Sequence, residues 1–215
     1  CAEDHPDEVE AILMQLSLKR GLKEWGQGGR DAVEAEMKQL HLRKTFEPVH
    51  YWELTAQQKD QMLESHMFLK KKPDETIKAR TVAGGNKQRA YTAKEDASSP
   101  TVATESVLLH GIIAAEEGRD VATIDIPNAF IQTRVEDEKH MVVMKVRGVL
   151  VDILVDIAPE VYGPYVTTDK NGKKQLILKC WNAIYGTMIS GLLYYLKFCR
   201  TLSREKFIKN AYDPC

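Results

Sequence analysis

Four cysteines in 215 residues, Cys1, Cys180, Cys199 and Cys215, stand too far apart to form a CxxC pair or a Cys/His cluster. That spacing excludes a zinc site and a disulfide framework and suits a reducing compartment. Long apolar runs are missing as well. Nothing approaches the length of a membrane span, and no signal-peptide pattern precedes the fold. Net charge is nearly absent: 30 Lys and Arg against 31 Asp and Glu leave a formal −1. A polyanionic partner must therefore be held by a local basic patch rather than by the field of the whole protein. There is no internal repeat and no low-complexity tract. The start at Cys1 and the stop at Asp213-Pro214-Cys215 read as those of a fragment of a longer protein.

What is present is the composition of a globular chain, 43% hydrophobic and 28% charged, with enough length for a real core. Residues 1–9 are acidic and poorly patterned. Ala11, Ile12, Leu13, Leu16 and Leu18 start a short helix that Gly21 ends, and Trp25 to Arg30 form a turn-rich joint. Asp31 caps a helix striped by Val33, Met37, Leu40 and Leu42, which Pro48 terminates. A second helix is expected over 54–62 with Thr55 as its cap. Strands are expected over 66–72 and 76–83, joined by Pro73-Asp74-Glu75. After a polar loop, 104–117 reads as a helix with Val107, Leu108, Ile112 and Ile113 on one face. Apolar runs at 121–133 and 141–146 read as strands, and 149–155 is ambiguous between helix and strand. An Asn171-Gly172 turn feeds a strand over 175–180, and 190–207 reads as a helix.

Three features carry possible chemistry. Lys70, Lys71, Lys72, Lys78, Arg80, Lys87 and Arg89 cluster on or beside the hairpin. Lys78 and Arg80, two apart, share a face, and such a face suits a triphosphate or a phosphodiester backbone. A solvated edge hairpin would also carry lysines. Asp125 interrupts the apolar run Val121-Ala122-Thr123-Ile124. A charge in a buried strand is costly unless it is paired or holds a metal such as Mg²⁺, although an Asp at a strand end can be satisfied by backbone donors. Gly186, in Ala183-Ile184-Tyr185-Gly186, permits a ligand or template base to approach the backbone, or belongs to an ordinary turn capped by Thr187 or Ser190. Trp25, Trp52 and Trp181 are read as packing residues rather than base-stacking ones.

The order of these pieces resembles the reverse transcriptases of copia-type retrotransposons with long terminal repeats. Lys70-Lys71-Lys72-Pro73-Asp74-Glu75-Thr76-Ile77-Lys78-Ala79-Arg80-Thr81-Val82-Ala83 is similar to the fingers hairpin of that family. Thr45-Phe46-Glu47-Pro48-Val49 resembles its Thr-Trp-x-Leu-Val segment, and Ser98-Ser99-Pro100-Thr101-Val102 its Phe-Ser-Pro-Val. Asp125-Ile126-Pro127-Asn128-Ala129-Phe130-Ile131-Gln132 is similar to its first catalytic box. Ala183-Ile184-Tyr185-Gly186 and Asp213-Pro214-Cys215 resemble its Ala-Leu-Tyr-Gly and Asp-Pro-Cys. The likeness runs from about Arg30 to the end. Departures are Pro127, Gly84 in place of an Arg, and Gly186-Thr187-Met188-Ile189-Ser190-Gly191 in place of Gly-Leu-Lys-Gln-Ser-Pro.

This resemblance implies an α+β fold comprising the fingers and part of the palm of a right-hand polymerase, cut before the Asp-Asp hairpin. Residues 1–29 would be a lead-in, 30–120 a fingers-like region with the basic hairpin at 66–86, and 121–215 a partial palm. It implies RNA-directed DNA polymerisation from dNTPs on an RNA or DNA template-primer. The rest of the polyprotein (remaining palm, thumb and RNase H) would be a partner, and no membrane is involved. Carried over by position, Asp125 is the catalytic carboxylate and, with Ile126, a metal contact for Mg²⁺ or Mn²⁺. Lys78, Arg80, Phe130, Tyr185 and Gly186 would meet the nucleotide, and Lys70, Lys71, Lys72, Lys87 and Arg89 the nucleic acid. The implied place is a cytoplasmic virus-like particle or the nucleus. The competing expectation is a non-catalytic nucleic-acid-binding remnant or domesticated protein. The family's paired aspartates are not found, so the chain alone is expected to be inactive.

Overall fold

A computed structural model describes residues 15–95 and 97–213; the acidic lead-in, the first residues of the expected opening helix and Cys215 lie outside them. Strand β1 (Gln15–Ser17) runs directly into helix α1 (Leu18–Leu42). The expected stop at Gly21 does not occur, because that glycine is buried where the helix meets Leu69. The expected joint at 25–30 is a kink inside the helix. Gly26 alone leaves helical backbone there, at φ 49° and ψ −122°, a region glycine enters without a Cβ penalty. Beyond the kink, Val33, Met37 and Leu40 recur at helical spacing and are fully buried.

After β2 (Phe46–Pro48), helix α2 (Ala56–Asp60) begins as expected at Thr55. The Thr55 hydroxyl accepts the Gln58 N–H, and the Gln58 side chain accepts the Thr55 N–H, a complete capping box. Strands β3 (Leu63–Lys71) and β4 (Ile77–Ala83) form the expected hairpin, with Lys70 opposite Lys78 and Phe68 opposite Arg80. Asp74 holds its turn by accepting from the Thr76 N–H and hydroxyl, which draws its carboxyl below the usual range. Glu75 sits at φ 65°, a left-handed conformation that a glycine would take without strain.

Helix α3 (Thr104–Glu116) follows the polar loop. Next come β5 (Val142–Arg147), helices α4 (Val149–Ile157) and α5 (Pro159–Tyr162), and strands β6 (Thr167–Thr168) and β7 (Lys174–Cys180). The last element is α6 (Ser190–Arg204). The ambiguous run at 149–155 is helical. The fold is mixed α and β around one sheet of order β1-β3-β5-β7-β2, with β4 added to β3 and β6 to β7. Among the described strands only β3 and β5 run parallel, over two residue pairs. The sheet draws strands from both sides of residue 120.

The hairpin has two unlike faces. Met67, Leu69, Ala79 and Thr81 point into the core with Val33, Met37 and Leu40 of α1, while Lys70, Lys78 and Arg80 point to solvent. Helix α1 also reaches the strand's outer edge. Glu36, only 8% exposed, accepts the Thr81 N–H at 2.9 Å. Burial raises the Glu36 carboxyl above its usual 4.5, opposed by the Thr81 hydrogen bond and by Lys78 and Arg80.

Other expectations fail as well. The apolar run at 121–133 is not a buried strand: 121–126 is irregular and exposed, with Ile124 86% accessible, and 127–132 are turn residues. A strand exists through its ladder, and among the described residues none lies beside this segment. An unpaired extended segment cannot offset its conformational entropy. Helix α3 forms where expected, but its stripe of Val107, Leu108 and Ile112 faces solvent. Of the tryptophans, Trp25 joins the core and Trp181 donates to Glu47, whereas Trp52 is exposed and stacked on His50 with centroids 4.1 Å apart.

Glu36 generates a test. Glu36→Leu leaves the Thr81 N–H buried without an acceptor and is expected to cost about 1–3 kcal/mol. Glu36→Gln keeps an oxygen there and removes the buried charge, so at neutral pH it is expected to equal or exceed the wild type in urea unfolding. Because the folded-state value is raised, the wild type's handicap is present above it. The handicap disappears as pH falls through that value toward 4.5. The two curves therefore converge in acid; a gap that widens there would contradict this account.

Candidate functional site

The basic hairpin meets the loop after β7 at a backbone joint. The Ala83 N–H donates to the Tyr185 carbonyl at 2.8 Å. Gly186, at φ 89°, lies so close that a Cβ would overlap the Ala83 carbonyl oxygen and come within 2.5 Å of Val82 Cγ1. A Cβ on Gly85 would in turn overlap the Gly186 carbonyl. The approach expected at Gly186 was that of a ligand or template base; the group found against it is the hairpin's own backbone. Thr187 and Ser190 do not cap α6; both hydroxyls donate to the Ile184 carbonyl, at 3.1 and 2.7 Å, and tighten the same loop.

Above this joint the side chains stack. The Arg80 guanidinium lies 4.5 Å from the centroid of the Tyr185 ring. Tyr185 packs on Phe130 at 4.9 Å, Phe130 on Tyr194 at 6.0 Å, and Tyr194 on Phe198 at 5.9 Å. A cation over an aromatic face is attracted by the ring quadrupole. Here it places a planar, five-donor group at the exposed end of an aromatic row. Pro127 and Asn128 aim Phe130 into the row. Proline presets the first turn position, and Asn128 takes φ 55° at the next. Gln132 closes the turn by donating its side-chain amide to the Pro127 carbonyl at 2.7 Å.

Residues 131–135 are anchored, unlike the segment before them. Ala183 N–H donates to Thr133 O, Val135 N–H to Trp181 O, and Asn182 Nδ2 to Ile131 O. Asp125 is therefore carried on an exposed segment whose far end is fixed. It lies near Tyr194, whose phenol is raised above 10 first by burial and then by the Asp125 charge. Among the described residues no group of three His, Cys, Asp or Glu side chains could hold a metal. Asp125 supplies one carboxylate and Ile126 only a backbone carbonyl. A pair of Mg²⁺ ions needs more oxygen ligands than that, so these residues do not by themselves fit a two-metal centre.

The structure thus brings together Arg80, Tyr185, Gly186 and Phe130, with Asp125 within electrostatic reach of Tyr194. Lys78 shares the solvent face with Arg80. Lys70, Lys72, Lys87 and Arg89 are exposed around it, and Lys71 pairs with Glu75. Tyr194 was not among the residues expected from sequence; its i, i+4 spacing to Phe198 on a helix could have pointed to it. Gln88 was also missed. It is a buried amide in a polar stretch, with no signal in composition or spacing.

Comparison with known proteins agrees with the ordered boxes. The family described as "Reverse transcriptase (RNA-dependent DNA polymerase)" matches residues 50–213. The chain is also similar to the "Retrovirus-related Pol polyprotein from transposon TNT 1-94" of Nicotiana tabacum. Identity is 25% over 213 residues, covering 98% of this chain and 14% of that protein. The chain therefore spans about one-seventh of this relative. No solved structure matches significantly.

Gly186→Ala tests the joint. A left-handed backbone costs a residue with a Cβ about 1–2 kcal/mol, and the overlap with the Ala83 carbonyl adds to it. The variant is expected to unfold at lower urea concentration and to exchange the Ala83 amide faster. Unchanged stability and exchange would show that the joint is not as close as described.

Proposed function

Because the chain belongs to the reverse transcriptase (RNA-dependent DNA polymerase) family, we propose that it forms the nucleotide-facing part of a copia-type RNA-directed DNA polymerase. The observation that supports this reading most is the Arg80–Tyr185–Phe130 stack beside the Asp125 segment. In this reading Arg80, with Lys78 on the same face, grips the triphosphate of an incoming dNTP through charge-assisted hydrogen bonds. Phe130 lies under the sugar, where its ring fills the space a ribose 2′-hydroxyl would need. Tyr185 and Gly186 border the template base. Lys70, Lys71, Lys72, Lys87 and Arg89 follow the template-primer backbone, so binding weakens steeply with salt.

Residues 30–120 correspond in this reading to fingers and 121–215 to the first part of a palm, after a lead-in over 1–29. Magnesium, when bound, would lower the barrier to attack by a primer 3′-oxygen and stabilise the leaving pyrophosphate. Asp125 and the Ile126 carbonyl are this chain's contribution to holding it. Further carboxylates would have to come from outside these residues; the relative, of which this chain covers 14%, is a Pol polyprotein. A non-catalytic nucleic-acid-binding role is the second reading, favoured by the exposure of Asp125 beside an intact basic hairpin.

The 215-residue chain is expected to bind an RNA–DNA primer-template in a salt-dependent way and to extend no primer. A polypeptide that continues beyond residue 215 is expected to extend it, with Asp125→Ala abolishing extension and leaving template binding nearly intact. Loss of an arginine's charge-assisted hydrogen bonds in Arg80→Ala is expected to weaken dNTP binding about 10- to 100-fold. Extension by the 215-residue chain, abolished by Asp125→Ala, would refute the incomplete site. No extension by any longer polypeptide would favour the second reading.

A further inference from the structure

Tyr185 is held from below by one more residue. Gln88 is 6% exposed and sits in the 3-10 turn Gly85–Ala90 that follows β4. Its side-chain Oε1 accepts the Met188 N–H at 2.9 Å. Its own carbonyl accepts the N–H groups of Tyr91 and Thr92 at 3.1 and 2.8 Å, which fixes its backbone. The loop over 185–188 is therefore tied at both ends to one short stretch of the hairpin side. Ala83 holds the carbonyl of Tyr185, Gln88 holds the N–H of Met188, and Gly186 is pressed between them against Ala83. With both ends fixed, the Tyr185 ring has a set height relative to the Arg80 guanidinium stacked on it.

We propose that Gln88 is a positioning residue for nucleotide binding: through Met188 it fixes the loop that carries Tyr185 and thereby the triphosphate-binding pose of Arg80. The proposal rests on the nucleotide-site reading above. Gln88 touches no nucleotide itself. Its contribution is one buried hydrogen bond to a neutral donor, so its loss acts by letting the loop shift rather than by removing a ligand contact.

The test compares Gln88→Asn, one methylene too short to reach Met188, and Gln88→Leu with Gln88→Glu, which keeps an oxygen at the same reach. Two quantities are read in the 215-residue chain: amide exchange over 185–188, and fluorescence titration with N-methylanthraniloyl-dATP and Mg²⁺. Circular dichroism confirms that each variant is folded. If Leu unfolds the chain, Asn and Glu still decide the question.

Loss of one hydrogen bond is expected to speed exchange at Met188 and to weaken the nucleotide about 3- to 10-fold in Asn and Leu, with Glu restoring both. Exchange unchanged in Asn and Leu overturns the proposal, since the loop is then held without Gln88. Faster exchange with undiminished nucleotide affinity also overturns it, leaving Gln88 a purely structural staple. Both of those outcomes leave the nucleotide reading in place. A wild type that binds no nucleotide, or binds it equally well as Arg80→Ala, overturns that reading and the proposal with it.

Discussion

A single backbone hydrogen bond, from the Ala83 N–H to the Tyr185 carbonyl, is what the candidate site depends on. It joins two segments a hundred residues apart, the end of the basic hairpin and the turn after β7. Net hydrogen-bond energies are small, about 0.5–1.5 kcal/mol; the value of this one is in geometry. It brings the Gly85 and Gly186 backbones so close that neither position has room for a side chain. That places Arg80 over Tyr185 and Tyr185 against Phe130. Charge from one segment and aromatic surface from two others meet because main chain meets main chain beneath them.

The contrast lies in the residues that precede Phe130. From 131 onward the chain is tied to 181–183 by three hydrogen bonds, and Ile131, Thr133 and Val135 are buried. Before it, the segment with Asp125 has β-branched, apolar composition and no paired strand among the described residues. The apolar side of α3 stands equally uncovered. Contiguous apolar surface of this kind is uncommon on a monomeric protein. The hairpin is packed against the core on one face, whereas the segment that carries Asp125 is exposed.

Local rules were enough for the hairpin. Pro73-Asp74 set a turn, the alternation of Met67, Leu69, Ala79 and Thr81 with Lys70, Lys78 and Arg80 set the faces, and the register followed. Thr55 marked its helix start through Gln58 three residues on. The strand expected at 121–133 failed for a reason composition cannot carry: a strand needs a neighbour, and the neighbour's presence is not written in the strand. Gly21 misled because glycine was read as a helix stop, whereas packing against Leu69 requires a residue that small within the helix. Glu36 and Gln88 could not have been found. A buried polar side chain is identified by its partner, and Thr81 and Met188 are 45 and 100 residues away. The order of boxes carried further than any one box, since each alone had an ordinary structural explanation.

Strand β4 pairs with β3 on one side only, yet its other side is not open. At Thr81 and Ala83, two of the positions where its N–H groups turn outward, they are taken by the Glu36 carboxylate and the Tyr185 carbonyl. Over 81–83 the hairpin therefore offers a visiting strand neither of these donors, whether it comes from a second copy or from another part of a long polypeptide. The broad side, where Lys70, Lys78 and Arg80 stand, is exposed.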